Sequence, residues 1–404
     1  PTGGTPVYWH ASTNVLPAAR SYASVAAYKN KLYLVGGRDT SGNSISTVHA
    51  ADILPTGDIS SWSTTNMQDL TTPTARYGHS IHIYNDVMYI IGGNNNGTLR
   101  NTVYYSKLTS TGGMNTWQST NSFTTARASF GGQMTAVWGA YIYLSGGCTA
   151  ITSGYCSGIA SDVQLASINA DGSLSPWNSI ATLSNQRIGH SFMAWQGGLY
   201  RAGGCNRQNT TTGVCYATHR NVEFGAVNPP GDASTVSNSE PSGTSPCNGG
   251  SPVNCDLPPA GDSAGQGGQM SSMVVINNGF IYNIGGCTDI STADECNNGG
   301  AAMSGNVSYA ALNSLGQMVA PTTCTSPNTS YGLWCVDNTN RINGTNGVGT
   351  GAATVFNNVL YVIGGTDGSD WQANVWSVTV NADGSLSGAW TAQTFTNLDL
   401  GTAR

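Results

Sequence analysis

Ten cysteines are the residues whose spacing points most directly to chemistry, and they fall into five near neighbours: Cys148 with Cys156, Cys205 with Cys215, Cys247 with Cys255, Cys287 with Cys296, and Cys324 with Cys335. A zinc site would call for Cys-x-x-Cys knuckles or interleaved histidines, and neither occurs. Each pair instead brackets a polar stretch such as Cys148-Thr-Ala-Ile-Thr-Ser-Gly-Tyr-Cys156. The expected chemistry is therefore oxidation to five local disulfides. Disulfides persist in oxidising surroundings, so the expected location is extracellular or cell-surface, with the periplasm as the other qualifying compartment.

Arginine supplies the second pattern. Arg20, Arg76, Arg127 and Arg187 stand in corresponding contexts, of which Thr-Ala-Arg-Tyr-Gly-His-Ser is one, and Arg341 is a fifth in a looser setting. Planar guanidiniums gathered at a mouth would suit a carboxylate- or sulfate-bearing glycan. The competing reading gives each arginine to loop carbonyls between neighbouring repeats. It weighs more, because a residue repeated with every repeat is usually architecture. His79 and His190 follow their arginines by three residues and are read as packing groups. His10, His49, His82 and His219 lack the spacing of a metal site. Trp334 and Trp371 are expected in loops, where an indole either stacks on a sugar or anchors its own loop. The three glutamates, Glu223, Glu240 and Glu295, form no recognisable acid–base constellation with one another or with the aspartates. No catalytic residue, cofactor or metal is assigned.

These groups must be positioned by something periodic. A tyrosine three residues before a Gly-Gly pair recurs at Tyr33, Tyr89, Tyr143, Tyr200, Tyr282 and Tyr361, and the second glycines are spaced by 56, 54, 57, 82 and 79 residues. Two repeats thus carry insertions of about 25 residues, at Asn228 to Gln269 and Ala320 to Gly347, too short for another repeat of the roughly 50-residue class. Within a repeat, alternating runs separated by turn clusters read as four short strands. Valines open the third strand at Val103, Val163, Val222, Val307 and Val375, and Asp-Gly turns such as Asn169-Ala-Asp-Gly-Ser follow it.

With the aromatic before Gly-Gly and the tryptophan after the third-strand turn, the chain resembles the kelch-repeat β-propellers. The resemblance implies an all-β, six-bladed propeller with four antiparallel strands per blade and two long inserted loops. Residues 1–404 are then one domain, with blades at about 20–66, 76–121, 127–182, 187–245, 268–335 and 348–396. Residues 1–19 supply a surplus outer strand that closes the ring or pairs with another molecule. Loops joining strands two and three share a face with those joining one blade to the next. The disulfide excursions are accordingly expected on one face, which becomes the candidate binding surface.

Composition narrows the function. Only 8% of the 404 residues are charged and the net charge is −6, which excludes the basic surface that nucleic acid requires. No window is long and apolar enough to span a bilayer. The start at Pro1, without Met, reads as a trimmed product. Sequons at Asn96, Asn209, Asn306, Asn328 and Asn343 carry little weight in so Asn-, Ser- and Thr-rich a chain. The expectation is a non-enzymatic extracellular adhesion or binding propeller whose partner is a glycan or surface protein. One alternative is a carbohydrate-active enzyme resembling six-bladed kelch sialic-acid mutarotases; the other is a structural subunit of a surface filament or layer. Copper chemistry of the galactose-oxidase type fits poorly, since every cysteine is committed to a pair. The Asp-Gly-Ser-Leu-Ser turns lack the spacing of sialidase boxes.

Overall fold

The computed structural model describes residues 20, 22–39, 41–54, 60–71, 73–129, 132–183, 185–208, 215–218, 222–228, 232–237, 257–258, 273–286, 304–314, 316–321, 324, 328–337, 341–342, 347, 352–356, 358–363, 375–387 and 391–392. All regular elements among them are strands. Six antiparallel sheets follow one another along the chain, each opened by an inner strand: Ser24–Tyr28, Ser80–Tyr84, Thr135–Trp138, Ser191–Trp195, Met273–Asn277 and Ala352–Phe356. Each inner strand lies beside the inner strand of the next sheet, from the first through the sixth. The second sheet shows the pattern: Ser80–Tyr84, Val87–Ile91, Val103–Lys107 and Gln118–Thr120, paired in sequence order.

The second strands are the driest, because neighbouring sheets cover both of their faces. Val87–Ile91 is buried throughout, and Tyr33, Tyr89, Tyr143, Tyr200 and Tyr282 are fully buried. A buried phenol needs a partner, and the next sheet provides it. Tyr33 donates to the Gly112 carbonyl at 2.9 Å, Tyr89 to Gly172 at 2.8 Å and Tyr282 to Gly384 at 2.9 Å, and Tyr200 donates to Gly316. Every acceptor lies in the turn between third and outer strands of the following sheet. Burial pushes the Tyr33 phenol up to about 12, so it stays a proton donor at any ordinary pH. Tryptophan works in the opposite direction: Trp117 Nε1 donates to Gln68 O and Trp177 Nε1 to Asn121 O of the preceding sheet, both at 2.9 Å.

Local chemistry sets the turns. Asp171 accepts from the Ser173 N–H and hydroxyl at 2.9 and 2.7 Å, and Asp383 from Ser385 at 3.0 and 2.6 Å, which pins the Asp-Gly turns read from the sequence. The third strands begin at Val103, Asp162, Val222, Val307 and Val375, at or one residue from the expected valines.

Two details depart from expectation. The fifth-repeat insertion was expected after the fourth strand. Trp334–Asp337, however, pairs with Val307–Leu312 and is itself that fourth strand, so the insertion precedes it and adds Thr329–Tyr331 at the sheet's outer edge. The fourth strand's Cys335 is fully buried and disulfide-bonded to Cys324, and both pack against the apolar cluster of Tyr282, Val307 and Tyr309. The fourth repeat has its expected outer strand, Asp232–Ser237. In the first sheet the outer position is reduced to the Ala50–Ser63 bridge, and Asp69 takes over the Val48 N–H at 3.0 Å. The surplus strand of residues 1–19 lies outside the described residues.

Replacing Tyr89 with Phe leaves the buried Gly172 carbonyl without its donor. The expected loss is about 1–2 kcal/mol of unfolding free energy in a urea titration; an unchanged midpoint would show that the tyrosine ladder does not hold neighbouring sheets together.

Candidate functional site

The Gly-Gly pairs end the second strands and bring the conspicuous side chains together. Gly36 has φ +57°, and a Cβ there would lie 2.5 Å from the Arg76 carbonyl; at Gly146, with φ +62°, the Arg187 carbonyl would be 2.6 Å away. Only glycine allows this approach. It lets the second glycine donate to the next sheet: Gly37 N–H to Arg76 O at 3.0 Å, Gly93 to Arg127 at 2.9 Å and Gly147 to Arg187 at 2.9 Å. The arginine side chain turns back to its own sheet. Nη1 of Arg20, Arg76, Arg127 and Arg187 donates to Gly36, Gly92, Gly146 and Gly203 O at 3.1, 2.9, 3.0 and 2.9 Å. One residue type thus ties two sheets, by its carbonyl and by its guanidinium.

Four of the five arginines nominated from sequence share this role. Arg76, Arg127 and Arg187 are 1%, 1% and 0% exposed, and Arg20 is half-buried. Arg341 is half-buried, and Gly364 and Gly365, the pair it would meet in this series, lie outside the described residues. Burial lowers the Arg76 guanidinium to about 10, which leaves it charged at neutral pH, and the Tyr104 ring lies 5.6 Å from it. Arg127 meets Asp162 in a two-pronged pair at 2.6 and 3.0 Å. Arg187 approaches Glu223 at 3.1 Å. The same carboxylate accepts from Arg201 Nε, while Arg201 Nη2 donates to Asn185 O at 2.7 Å. Arg187, Glu223 and Arg201 are all 0% exposed. Arg201 was not singled out in the sequence, because it interrupts the apolar strand Gly198–Ala202 and belongs to no repeat. That interruption was the available signal: a charge inside a buried strand demands a partner.

The histidines fill the space beside the glycines. His79 Cε1 is 2.9 Å from a Cβ built on Gly36, and His190 Cε1 is 2.7 Å from one on Gly146. Burial, with Arg76 beside it, drives the His79 imidazole down to about 3; burial, with Arg201 and Arg187 nearby, holds His190 well below its ordinary value. His82, on the inner strand of the second sheet, meets Thr135 Oγ1 at 2.7 Å and Gln133 Nε2 at 3.2 Å. Trp334 is in a strand and 1% exposed, packed with Tyr200, Phe224 and Leu257, so its indole is a core group. Trp371 lies outside the described residues.

Around the inner mouth a belt of backbone bonds joins residues two past each arginine. Gly78 N–H donates to Tyr22 O at 2.9 Å, Ser129 to Gly78 O at 2.8 Å and Gly189 to Ser129 O at 3.2 Å. Just outside it, the residue after each arginine pairs with the residue after each Gly-Gly, as Tyr77 with Asn94, Ala128 with Cys148 and Ile188 with Cys205. From these bases rise three hairpins: Asn94–Asn95 with Thr98–Leu99, Cys148–Thr152 with Tyr155–Ile159, and Cys205–Gln208 with Cys215–Thr218. The first is tied to the preceding loop, since Ser44 N–H donates to Asn96 Oδ1 at 2.7 Å and Asn96 N–H to Ser44 Oγ at 2.9 Å. The second is braced by the Cys148–Cys156 disulfide and packs against the third through Cys156, Ile159, Ile188 and Cys205. Cys205 is also disulfide-bonded. The expected pairings of Cys247 with Cys255 and Cys287 with Cys296 lie outside the described residues, as does the Cys215 side chain. Hairpin tips at Asn96, Gly97, Thr98, Thr152, Ser153 and Gly154 are exposed and uncharged.

Two measurements test the buried groups. Glu223→Gln leaves two enclosed guanidiniums without a counter-charge and is expected to cost about 3–5 kcal/mol, whereas Asp162→Asn, at a carboxylate whose side chain is 27% exposed, costs much less. Equal losses in denaturant titrations would contradict the assignment of Glu223 as a sealed hub. The second concerns pH. Unfolded histidine binds protons below about pH 6.5, whereas folded His79 and His190 resist until far lower. Stability is therefore full above that pH and falls as pH drops from about 6.5 toward 4, by up to about 1.4 kcal/mol per unit and histidine. His79→Gln with His190→Gln should flatten the melting temperature between about pH 7 and 5; an unchanged slope would refute the sign.

Comparison with known proteins agrees with this geometry. A family model for the KLHDC2/KLHL20/DRC7 Kelch-repeats domain matches residues 8–204. Alpha-scruin of Limulus polyphemus is 30% identical over 139 residues, which is 34% of this chain and only 14% of that protein. The structure of YjhT superposes with a TM-score of 0.58 at 13% identity, covering 95% of this chain and 99% of that one. Over residues 8–204 the chain carries the repeats of the kelch family, and it folds as an all-β kelch propeller.

Proposed function

We propose that the protein is a non-enzymatic extracellular binding propeller of six blades, whose hairpin face holds a surface glycan or protein. The observation that carries this reading is the contrast between two sets of groups. The side chains able to do acid–base or anion chemistry, namely Arg76, Arg127, Arg187, Glu223, His79 and His190, are enclosed between sheets. The exposed hairpin tips of the same face, at Asn96 to Thr98 and Thr152 to Gly154, are uncharged and held in place by cross-links, and the charged groups beside them, exposed Arg38 and half-buried Asp39, stand on the loop of the first sheet. A rigid display of neutral hydroxyls and amides suits recognition that depends little on salt. The disulfides Cys148–Cys156 and Cys324–Cys335 support an oxidising compartment. No described helix is long and apolar enough to cross a membrane.

One observation favours a carbohydrate-active enzyme: a carboxylate does face two arginines. All three groups are fully enclosed, so a substrate would have to pry neighbouring sheets apart to reach Glu223. The filament-subunit reading has the single bridge at the outer edge of the first sheet in its favour, and rests on residues outside the described set.

The test is a printed array of neutral and anionic glycans probed with the chain and with a Thr98→Glu/Thr152→Glu variant, both positions being exposed. Signal from the parent should fall at least about tenfold, or roughly 1.4 kcal/mol, in the variant. Signal that survives these substitutions would move binding off the hairpin face.

A further inference from the structure

The opposite face repeats a different pattern, independent of the hairpins. Each inner strand runs away from the arginine end and finishes at a tight turn on that face, and its last residue is Tyr28, Tyr84, Trp138 or Trp195 in the first four sheets. All four are half-buried, as is Tyr141 beside Trp138, while the motif tyrosines Tyr33, Tyr89, Tyr143 and Tyr200 deeper in the second strands are fully enclosed. Three of them lean along the rim toward the following sheet. Tyr28 Oη donates to Asp86 Oδ1 at 3.1 Å, Trp138 Nε1 lies 4.0 Å from a Cβ built on Gly197, and the Trp195 ring lies 3.8 Å from one on Gly279. Glycine in those two turns puts no side chain over the indole edges.

Amides complete the circle. The turns present exposed Asn30, Asn85, Gln196 and Asn278, all at positive φ. In the fifth sheet the terminal position is Asn277, and here Asn277 and Asn278 both donate to the side-chain oxygen of Asn358 in the sixth. An arc of aromatic rings therefore meets a cluster of amides around one channel mouth. The charged groups beside the first of these turns are paired, Lys29 with Asp86 and Lys31 with Asp52.

We propose that this rim is a second binding site, for a neutral saccharide chain. Half-open aromatic faces accept the C–H surfaces of a pyranose, and carboxamides carry both donors and acceptors to match its hydroxyls. A protein partner would need a broader apolar patch, and the exposed large hydrophobics among the described residues are Tyr22, at the arginine end, and Leu54, a single side chain next to the Asn30 turn. A phosphate- or sulfate-bearing ligand would need cations to spare, and the lysines at the first turn are already engaged by carboxylates.

Titration of the full chain with maltohexaose, cellohexaose, chitohexaose and mannohexaose, followed by tryptophan fluorescence and calorimetry, tests the site. At least one should bind, with affinity unchanged between about 0.05 and 0.5 M salt. Trp138→Ala and Trp195→Ala should each weaken it roughly three- to tenfold, and Gln196→Ala with Asn278→Ala roughly two- to fivefold. The amide pair is exposed, so that variant reads the site even if loss of an indole unfolds the chain. Thr98→Glu/Thr152→Glu should leave this binding intact, which separates the rim from the hairpin face. No response to any of the four sugars, or binding that the rim variants leave untouched, overturns the proposal.

Discussion

The close approach of one sheet's Gly-Gly to the next sheet's arginine carbonyl is the contact on which the architecture depends. At 2.5–2.8 Å from a would-be Cβ, the space beside Gly36, Gly92 and Gly146 admits no side chain, and the backbone must take a left-handed conformation to aim the second N–H outward. That N–H fixes the arginine's main chain. The arginine's fixed position in turn places its guanidinium on its own glycine carbonyl, sets the belt bond two residues later and starts the inner strand in register. A propeller has no single hydrophobic centre, so the sheet-to-sheet seams carry its cohesion. The first two seams are apolar in the middle and polar at both ends, with tyrosine and tryptophan ties at one end and the glycine–arginine bond at the other.

Arginine suits this place better than lysine because its forked donors reach a carbonyl and a second acceptor from one rigid plane. How the charge is balanced differs by seam. Arg76 has an aromatic ring, Arg127 a carboxylate reached by water, and Arg187 a carboxylate wholly enclosed and shared with Arg201. Enclosing two guanidiniums with one carboxylate is costly, and burial lowers the Arg201 guanidinium even against the pull of Glu223. The repeated interaction is the bond to the glycine carbonyl; the counter-ion is local adaptation.

Much of this was legible because repetition filters noise. Tyr-x-x-Gly-Gly located every described second strand, and the valines located the third. The arginines were visible as a set, and their repetition already weighed toward architecture. What escaped were features without a repeat, such as Arg201, and features hidden by a stronger signal. Trp334 looked like loop because the Cys324 and Cys335 pair enclosed it, whereas it pairs with Tyr331 at the start of a strand whose next residues, Cys335–Asp337, pair with Val307–Tyr309. The rim aromatics did carry a signal: an aromatic stands five residues before the motif tyrosine at Tyr28, Tyr84, Trp138 and Trp195. It was overlooked because a strand-ending aromatic is ordinarily part of the core, and only partial exposure distinguishes these four.

Burial of the arginines also explains what the surface can recognise. The chain has 14 Lys and Arg against 20 Asp and Glu, and Arg76, Arg127, Arg187, Arg201 and Glu223 are withdrawn from solvent. Exposed pairs such as Lys29 with Asp86 and Lys31 with Asp52 engage two of the three lysines. With only 8% of the chain charged, and the cations withdrawn more than the anions, an anionic partner has little to draw it in, and both faces offer short-range chemistry: hydroxyls and amides on stapled hairpins at one end, aromatic edges and amides at the other. The two ends differ in how much sequence change they tolerate. A hairpin can lengthen without disturbing the seam beneath it, as the Cys148–Cys156 excursion does. The rim residues terminate the inner strands themselves, so their spacing is fixed by the ring, and a ligand there must match the geometry of the propeller.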